Sequence, residues 1–392
     1  MAAAPVEVAP SLYLIGGHHP VSMWQDVNVP NILAMHGDDT LYLLDSGLGA
    51  EQRQAILHLV DQLQGRFNRV VLLNSHGHAD HTGNNDVLAK IPADEKLHYI
   101  SELSKQYFDP MGFFRDAYDE GAGYFDYLRG LDLSVEALWP LLLRAGLDPA
   151  ADKEALGDIG RRLAYSGLTP VISHYWGDLM MRNIAETYPP LHPSIETMRW
   201  YETQPKTTFD YGDAQWTGWQ LGQVCVFEGH GHTADGVLFY LPQHKFLFFA
   251  DETTPIPIWK DTNTDNTARN LRNALAMVDV GAVESITAGH FPLQVVTGAD
   301  AIRETLNAFL DQKNSFDREV TDAVNEAAEP GVSIDDLYDN LRRRPEGVAA
   351  GLVANQFPKM PSFLKLTLLN FCRQHFTQAA DDAGRPVFRN TA

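Results

Sequence analysis

The chain has 392 residues, 44% of them hydrophobic, which is enough to bury a sizeable core and unlike the composition of a disordered protein. The 51 Asp and Glu residues outnumber the 30 Lys and Arg residues, and the formal charge of −21 disfavours a polyanionic partner such as a nucleic acid. Two cysteines exclude a disulfide framework, and the lack of a long apolar stretch or a basic N-terminal segment predicts a cytoplasmic protein with no membrane contact.

The first hundred residues alternate between short apolar runs and a helical pattern. Apolar residues recur at helical spacing from about Glu51 to Phe67, which predicts a helix. The apolar runs predict strands at Leu12–Ile15, Ile32–His36, Leu41–Leu44 and Val70–Leu73. The last of these strands leads directly into the sequence Ser75-His76-Gly77-His78-Ala79-Asp80-His81.

The region from about Glu102 to Pro205 is mostly helical by pattern and is rich in aromatic residues. We predict that it is an insertion that caps the functional site or contacts a second subunit, because contiguous apolar surface marks such interfaces. A homodimer is the assembly that the second alternative implies. The aromatic residues expected to wall a substrate pocket are Phe113, Phe114, Tyr124 and Trp176.

The rest of the chain returns to strands and then ends in helices. A helix is predicted at about Thr267–Val278, and the sequence from Ser333 to Asp336 resembles a capping box that opens a helix in the tail. A last amphipathic helix is predicted at Phe363–Phe376. The strands predicted here begin at about Thr207 and continue at Gln223–Phe227, Gly236–Leu241, Phe246–Ala250 and Val283–Thr287.

Two pairs of segments echo each other along the chain. The apolar runs Leu41–Asp45 and Phe246–Asp251 both end in an aspartate. The sequences His76-Gly77-His78 and His230-Gly231-His232 both place two histidines around a glycine after a strand. We interpret the echo as two related β-rich halves that face each other, although short apolar strands resemble one another without common origin.

The sequence His76-x-His78-x-Asp80-His81 groups four metal-binding side chains directly after a buried strand. In an extended stretch, His76 and His78 project to the same side and can bind one ion. Asp80 and His81 follow after the chain turns, so they can reach a second ion nearby. Imidazole and carboxylate ligands suit Zn²⁺, Mn²⁺ or Fe²⁺.

This motif resembles the signature of the metallo-β-lactamase superfamily, and later segments resemble the rest of that family's pattern. Gly231-His232-Thr233 resembles the third ligand motif, and the apolar strand ending at Asp251 resembles the strand that delivers a bridging aspartate. Ala288-Gly289-His290 resembles the final histidine motif, and Leu44-Asp45-Ser46-Gly47 resembles the early aspartate–glycine motif. The motifs occur in the family's order and span residues 41 to 290.

The resemblance implies a cofactor of two metal ions per chain, expected to be Zn²⁺, with Mn²⁺ or Fe²⁺ as alternatives. Asp251 is expected to bridge the ions, and Asp45 is expected to orient the metal-binding loop. Asp80 is also a candidate catalytic residue that carries a proton to the leaving group. The ligands implied for one ion are His76, His78 and His232, and those for the other are Asp80, His81 and His290.

The resemblance also implies an α/β fold, a four-layer αββα sandwich with a helical insertion and a helical C-terminal extension. His81 and His232 are 151 residues apart, well beyond what the compact family core needs, so the insertion is placed between them. The expected divisions are the first half of the core at 1–101, the insertion at 102–205, the second half of the core at 206–300 and the extension at 301–392.

The expected reaction is hydrolysis of an ester, lactone or related carbonyl bond of a small apolar molecule by a metal-bridging hydroxide. Phosphodiesterases of the family share every ligand, but the negative charge and the lack of a basic cluster disfavour a polyanionic substrate. An iron-dependent dioxygenase on the same fold stays open, and metal analysis would distinguish it.

Three other functions of this fold are disfavoured by the candidate ligands. Diiron oxygen reductases typically have a glutamate where His78 stands, and true β-lactamases usually lack an aspartate where Asp251 stands. A non-enzymatic scaffold is expected to have lost ligands, whereas none is missing here.

His230 stands where the family often has proline. Two interpretations of this residue stay open: a contact to the substrate or to a metal ligand, and a solvated or core side chain without a functional role.

Overall fold

The protein contains two seven-stranded mixed sheets, and its computed structural model describes residues 4–17, 29–121, 123–126, 129, 198–290, 295–352 and 361–390. Strands of the first sheet are β1 (Val6–Ala9), β2 (Leu12–Ile15), β3 (Ile32–Gly37), β4 (Thr40–Leu44), β5 (Arg69–Leu73), β6 (Glu95–Ile100) and β7 (Met198–Trp200), in this spatial order. Strands β1 to β4 pair antiparallel, and β4 to β7 pair parallel. Because β4 and β5 are parallel, the segments that follow them meet at one edge of the sheet.

The second sheet also follows chain order in space. Its strands are β8 (Lys206–Tyr211), β9 (Ala214–Leu221), β10 (Val224–Glu228), β11 (Val237–Leu241), β12 (Phe246–Phe248), β13 (Ser285–Thr287) and β14 (Val296–Thr297). All neighbours pair antiparallel except β12 and β13, which are parallel. The segments after β12 and β13 therefore also meet at one edge.

Helices occur between the strands and dominate the C-terminal part of the described chain. They are α1 (Gly49–Gln62), α2 (Ala79–Thr82), α3 (Val87–Lys90), α4 (Pro110–Gly121), α5 (Thr264–Asp279), α6 (Ala299–Asn325), α7 (Ile334–Arg343), α8 (Val348–Gly351) and α9 (Pro361–His375). Short 3₁₀ turns lie at Glu102–Tyr107, Tyr201–Thr203 and Pro242–His244. The predicted cap of α7 is present, because the Ser333 hydroxyl accepts a hydrogen bond from the backbone N–H of Asp336.

Strand β10 shows how the layers are held together. Successive side chains of a strand point to opposite faces. Val224 and Val226 pack in the core between the two sheets, whereas Cys225 and Phe227 pack on the other face of the second sheet. Both faces of this strand are buried, which explains its continuous apolar sequence.

Helices cover the outer face of each sheet. On the first sheet, Ile56 and Leu59 of α1 pack against apolar residues of β3, β4 and β5. On the second sheet, Leu271 and Met277 of α5 pack against β10, β11 and β12, together with Ile302 at the start of α6. The layer order helix, sheet, sheet, helix confirms the predicted αββα fold class.

The two sheets share a local topology that matches the echo in the sequence. In the first sheet, β3 pairs antiparallel with β4, and α1 leads to the parallel neighbour β5. In the second sheet, β11 pairs antiparallel with β12, and α5 leads to the parallel neighbour β13. Asp45 follows β4 directly, and Asp251 follows β12 after two residues.

The described chain divides into two compact units. The first contains the described residues up to Phe113, those from 198 to Pro255, and Asp261–Leu310, and so includes both sheets. The second contains Ile256–Lys260, the residues from Asp311 onward, and the described residues from Phe114 to 129. The predicted insertion lies largely outside the described residues, and its two roles stay predictions.

Two β elements of the described chain were not predicted from the sequence. Met198–Trp200 forms β7 of the first sheet, although it falls within the predicted insertion at 102–205, because a three-residue strand carries no alternating pattern. In the described part of the tail, α6, α7, α8 and α9 are followed by a hairpin of β15 (Thr377–Ala380) and β16 (Pro386–Arg389), which the apolar pattern did not reveal.

Neither cysteine forms a disulfide, and both Cys225 and Cys372 are buried. The helices of the described residues include none with the length and apolar sequence that crossing a membrane requires.

Candidate metal centre

The loop between β5 and α2, together with α2 itself, carries the first four candidate ligands. Gly77 in this loop lies close to the 3₁₀ turn at Glu102–Tyr107. A Cβ atom at position 77 would lie 2.8 Å from Cδ2 of Tyr107 and 2.9 Å from the backbone oxygen of Ser104, so only glycine fits. The four candidate ligands of this segment are His76, His78, Asp80 and His81.

The other three candidate ligands come from the second sheet. His232 lies in the loop between β10 and β11, Asp251 follows β12, and His290 follows β13. The backbone N–H of Val237, at the start of β11, donates to the backbone oxygen of Ser75 at 2.9 Å. This contact joins the ligand-bearing loops of the two sheets.

Three histidine rings converge on one side of the site. The Nδ1 atom of His78 lies 3.0 Å from Nε2 of His76 and 3.4 Å from Nε2 of His232. The three ligand atoms lie within 4.8 Å of one another. This arrangement matches the first ligand set that the resemblance implied.

Two histidines and two carboxylates complete the other side. Nε2 of His290 lies 3.0 Å from Oδ2 of Asp80 and 3.4 Å from Oδ2 of Asp251. Nε2 of His81 lies 3.2 Å from Oδ1 of Asp251. The structure thus brings together all seven side chains that the sequence singled out, with Asp251 between the two histidines of the second set.

The donor set fits a metal cation in its electrostatics as well as its chemistry. Burial lowers the pKa of His78 to about 3, and it lowers the pKa of His76 and His232 below the usual range. These rings are therefore neutral near pH 7, and nitrogens that face one another cannot all carry a hydrogen. Lone pairs directed at a common point, beside the carboxylates of Asp80 and Asp251, form a site that a divalent cation can occupy.

Asp45 supports the loop that carries His76 to His81. Its buried carboxylate accepts hydrogen bonds from the backbone N–H of Ser75 at 2.7 Å and from the Ser75 hydroxyl at 2.8 Å. Its Oδ2 atom also lies 2.8 Å from Nδ1 of His81. A proton on Nδ1 would leave the lone pair of Nε2 directed at Asp251, which is the orienting role expected from the sequence.

Replacing Asp45 with asparagine is expected to weaken metal binding by roughly 10–100-fold, because an amide NH₂ in place of Oδ2 can accept from neither the Ser75 hydroxyl nor Nδ1–H of His81. Metal titration against a chromophoric chelator measures the change. Asp39→Asn is the matched control, since Asp39 is exposed and accepts hydrogen bonds from Asn68. Equal metal affinities for Asp45→Asn and the control would contradict the orienting role.

Two buried acids at the site were not identified from the sequence. Oδ2 of Asp235 accepts from the backbone N–H of Gly77 at 2.7 Å and from the hydroxyl of Ser104 at 2.5 Å, and burial raises its pKa to about 6. Glu252 is fully buried beside the loop of His232. Their position in the sequence could have indicated them, because each acid lies within three residues of a candidate ligand.

Aromatic rings lie directly against His78. The ring centroid of Tyr107 is 5.0 Å from that of His78, and the centroid of Phe113 is 5.8 Å from it. Tyr107 and Phe113 also contact each other edge to face, with centroids 4.9 Å apart. One wall of the site is therefore aromatic, as predicted for Phe113.

The structure does not test the pocket role of the other three aromatic residues. Tyr124 lies in the second unit, where its hydroxyl donates to Oε1 of Gln378 at 3.1 Å. Trp176 and the side chain of Phe114 lie outside the described part of the chain. Their predicted roles in the pocket stay predictions.

His230 contacts its own loop. Its Nδ1 atom lies 2.5 Å from the backbone oxygen of Ala234, and its Nε2 atom lies 3.5 Å from Oε1 of Glu228. Its backbone is left-handed, with φ of 53°. These contacts hold the His230 side chain against the loop that carries His232.

Comparisons with known proteins agree with this fold. The family model of the metallo-beta-lactamase superfamily matches residues 26–175. The fold is similar to that of a beta-lactamase domain protein from Burkholderia ambifaria, with a TM-score of 0.56, 14% identity, and coverage of 100% of this chain and 95% of that chain. It is also similar to the stereoselective inverting sec-alkylsulfatase Pisa1 from Pseudomonas sp., with a TM-score of 0.50, 14% identity and coverage of 93% of this chain. The second match spans 50% of the sulfatase chain, and no curated protein matches the sequence.

Proposed function

We propose that this chain, which has the metallo-β-lactamase fold and matches that superfamily's family model, is a metal-dependent hydrolase of ester, lactone or related carbonyl bonds. The observation that carries the proposal is the convergence of five histidines and two aspartates from both sheets on one small volume. We further propose that the pocket holds two ions per chain and that both are Zn²⁺, which suits this mixture of nitrogen and oxygen ligands.

Each side chain of the cluster has a definite task in this proposal. When bound, two divalent cations would supply a hydroxide at neutral pH and polarise the carbonyl of the substrate. His76, His78 and His232 would hold one ion through ring nitrogens that burial keeps neutral. Asp251 would bind between the two positions, since its two oxygens face different histidines.

Asp80 is the residue best placed to move a proton. Its side chain is 23% exposed, whereas that of Asp251 is 6% exposed, so Asp80 alone of the two carboxylates can reach both the pocket and solvent. The ring of His290 fixes its Oδ2 atom at 3.0 Å and leaves the second oxygen to accept a proton. We assign Asp80 the transfer of that proton to the leaving group.

The aromatic wall favours a small, largely apolar substrate. Tyr107 and Phe113 border the ring of His78, and ligand pockets lined by such side chains bind mainly through apolar contact. The net charge of −21 repels polyanions at a distance, although bound cations reverse the field locally. Neutral acyl substrates therefore fit the site better than phosphodiesters.

A substrate screen on zinc-loaded protein tests the proposal. Acyl lactones, aryl esters, thioesters, β-lactams, phosphodiesters and secondary alkyl sulfates are compared, with chelator-treated protein as the control. We expect acyl hydrolysis that depends on metal and that favours longer apolar acyl chains. Phosphodiester or alkyl sulfate cleavage without acyl hydrolysis would overturn the substrate class, and oxygen consumption by an iron-loaded form would indicate a dioxygenase instead.

A further inference from the structure

Glu252 is a buried acid that contacts the backbone of the loop carrying His232. Its carboxylate accepts a hydrogen bond from the backbone N–H of Gly231 at 2.9 Å and from the backbone N–H of His232 at 3.1 Å. The side-chain amide of Asn270, on α5, donates to it at 2.8 Å. The side chain is 1% exposed, so these three N–H donors replace the water that the carboxylate loses on burial.

Three glycines of the same loop pack around this carboxylate. A Cβ atom at Gly236 would lie 2.1 Å from Oε1 of Glu252, and one at Gly231 would lie 2.6 Å from Oε2. A Cβ atom at Gly229 would lie 2.6 Å from the carboxyl carbon of Glu252. None of the three has a positive φ, so occupied space, and not an unusual backbone conformation, excludes a side chain there. Glu252 takes up this space at all three positions, and Oγ1 of Thr267 also lies 2.5 Å from the added Cβ atom at Gly231.

The carbonyl groups of the same turn are fixed from the other direction. The backbone oxygen of Gly231 accepts from the N–H of Asn263 at 2.7 Å, and that of His232 accepts from the hydroxyl of Thr262 at 2.8 Å. With Glu252 on the N–H groups, Gly231 and His232 are each hydrogen bonded through both the backbone N–H and the backbone oxygen.

Glu252 corresponds in role to Asp45 of the first sheet, although the two differ in position. In the first half of the fold, Asp45 follows β4 and binds Ser75, one residue before His76. In the second half, the aspartate that follows β12 is Asp251, which faces the metal pocket. The next residue, Glu252, has a longer side chain and contacts the histidine-bearing loop in its place.

We propose that Glu252 is the positioning residue for His232, holding the Gly231–His232 turn so that Nε2 of His232 points to the metal pocket. This inference rests on the proposed metal-dependent function. A substitution at Glu252 is therefore expected to lower the affinity for the ion held by His76, His78 and His232. The affinity for the ion held by Asp80, His81 and His290 is expected to fall less.

The test uses Glu252→Gln, which preserves shape but places an amide NH₂ against N–H donors. Metal binding is measured stepwise with Co²⁺ and Zn²⁺ against a chromophoric chelator, and the visible spectrum of the Co²⁺ protein reports the ligand geometry. We expect one ion to bind roughly 10–100-fold more weakly, with an altered Co²⁺ spectrum, while the other ion keeps its affinity. Melting of the metal-free protein checks that the variant folds.

Glu95→Gln is the matched control, since Glu95 is exposed at the start of β6 and contacts the side chain of Arg69 at 2.6 Å. It is expected to keep both metal affinities. Asn270→Ala, which removes one hydrogen-bond donor to Glu252, is expected to lower the affinity for the same ion to a smaller extent. If Glu252→Gln does not fold, Asn270→Ala becomes the deciding variant. Unchanged binding in that variant would then overturn the inference.

The outcomes separate this inference from the proposed function. If the wild-type protein binds two ions and Glu252→Gln binds them equally well, the positioning role fails while the proposed function stands. If both affinities of Glu252→Gln fall equally with the stability of the metal-free protein, the role of Glu252 is structural and the inference is overturned. If the wild-type protein binds no metal, both proposals fail.

Discussion

Replacing Asp251 with alanine is expected to release at least one metal ion and to lower kcat on the best substrate by roughly 10²–10³-fold. The side chain is buried, and its oxygens lie 3.2 Å from Nε2 of His81, 3.5 Å from that of His232 and 3.4 Å from that of His290. No neutral histidine can balance the charge of two cations as this carboxylate can. Removing it leaves both ion positions without their shared anionic ligand.

Metal analysis of the purified variant, followed by steady-state kinetics with metal in excess, measures this effect. Asp251→Asn keeps the shape and is expected to show the same loss, because the negative charge is the property that matters. Asp94→Ala is the control at an exposed aspartate, and it should behave as the wild-type protein. Two bound ions and wild-type turnover in Asp251→Ala would refute the bridging role.

Replacing Gly289 with alanine is expected to damage the centre without removing any candidate ligand. The new Cβ atom would lie 2.5 Å from Oδ1 of Asp251 and 3.0 Å from Cε1 of His81. The backbone at Gly289 is held in place by two hydrogen bonds. Its N–H donates to the backbone oxygen of Ala250 at 2.6 Å, and its oxygen accepts from the backbone N–H of Asn31 at 2.7 Å. The side chains must therefore move, and overpacking of this kind costs about 1–3 kcal/mol of folding stability.

Metal titration, kinetics and thermal melting of the metal-free protein measure the result for Gly289→Ala. We expect weaker binding of at least one ion and loss of most activity. Gly351→Ala is the control, since a Cβ atom at this position meets open space. Residue 351 lies in helix α8, and alanine is favoured over glycine in a helix by roughly 0.5–1 kcal/mol. If Gly289→Ala keeps wild-type metal affinity and turnover, the close approach of this loop is not functionally important.

The strands that could be predicted from the sequence are those buried on one or both faces. The apolar runs at β4, β5, β10 and β11 were found because burial demands apolar residues there. Strand β6 begins with Glu95 and Lys96, which are not fully buried, so its polar start concealed it. Helix α1 was predicted to end at about Phe67 but ends at Gln62. The apolar spacing continues past Gln62, whereas Gly65, with φ of 78°, turns the chain.

Four candidate ligands, His76, His78, Asp80 and His81, could be predicted because their residue types and spacing reflect metal chemistry directly. The other three, His232, Asp251 and His290, were implied by the resemblance to the metallo-β-lactamase superfamily. The supporting acids could not be predicted, because their roles depend on contacts that local sequence does not encode. Asp235 binds the N–H of Gly77 across 158 residues, and Glu252 binds a loop that precedes it in sequence by some twenty residues. Asp45 was found because it belongs to a recognisable aspartate–glycine motif.

The metal content of protein purified without chelator tests the central claim most directly. Elemental analysis is expected to find two ions per chain, predominantly zinc, and dialysis against chelator should remove both ions together with the hydrolytic activity. A stoichiometry of one that does not rise when metal is supplied in excess would contradict the dinuclear centre. No bound metal under any loading condition would contradict the proposal that this chain is a metal-dependent hydrolase.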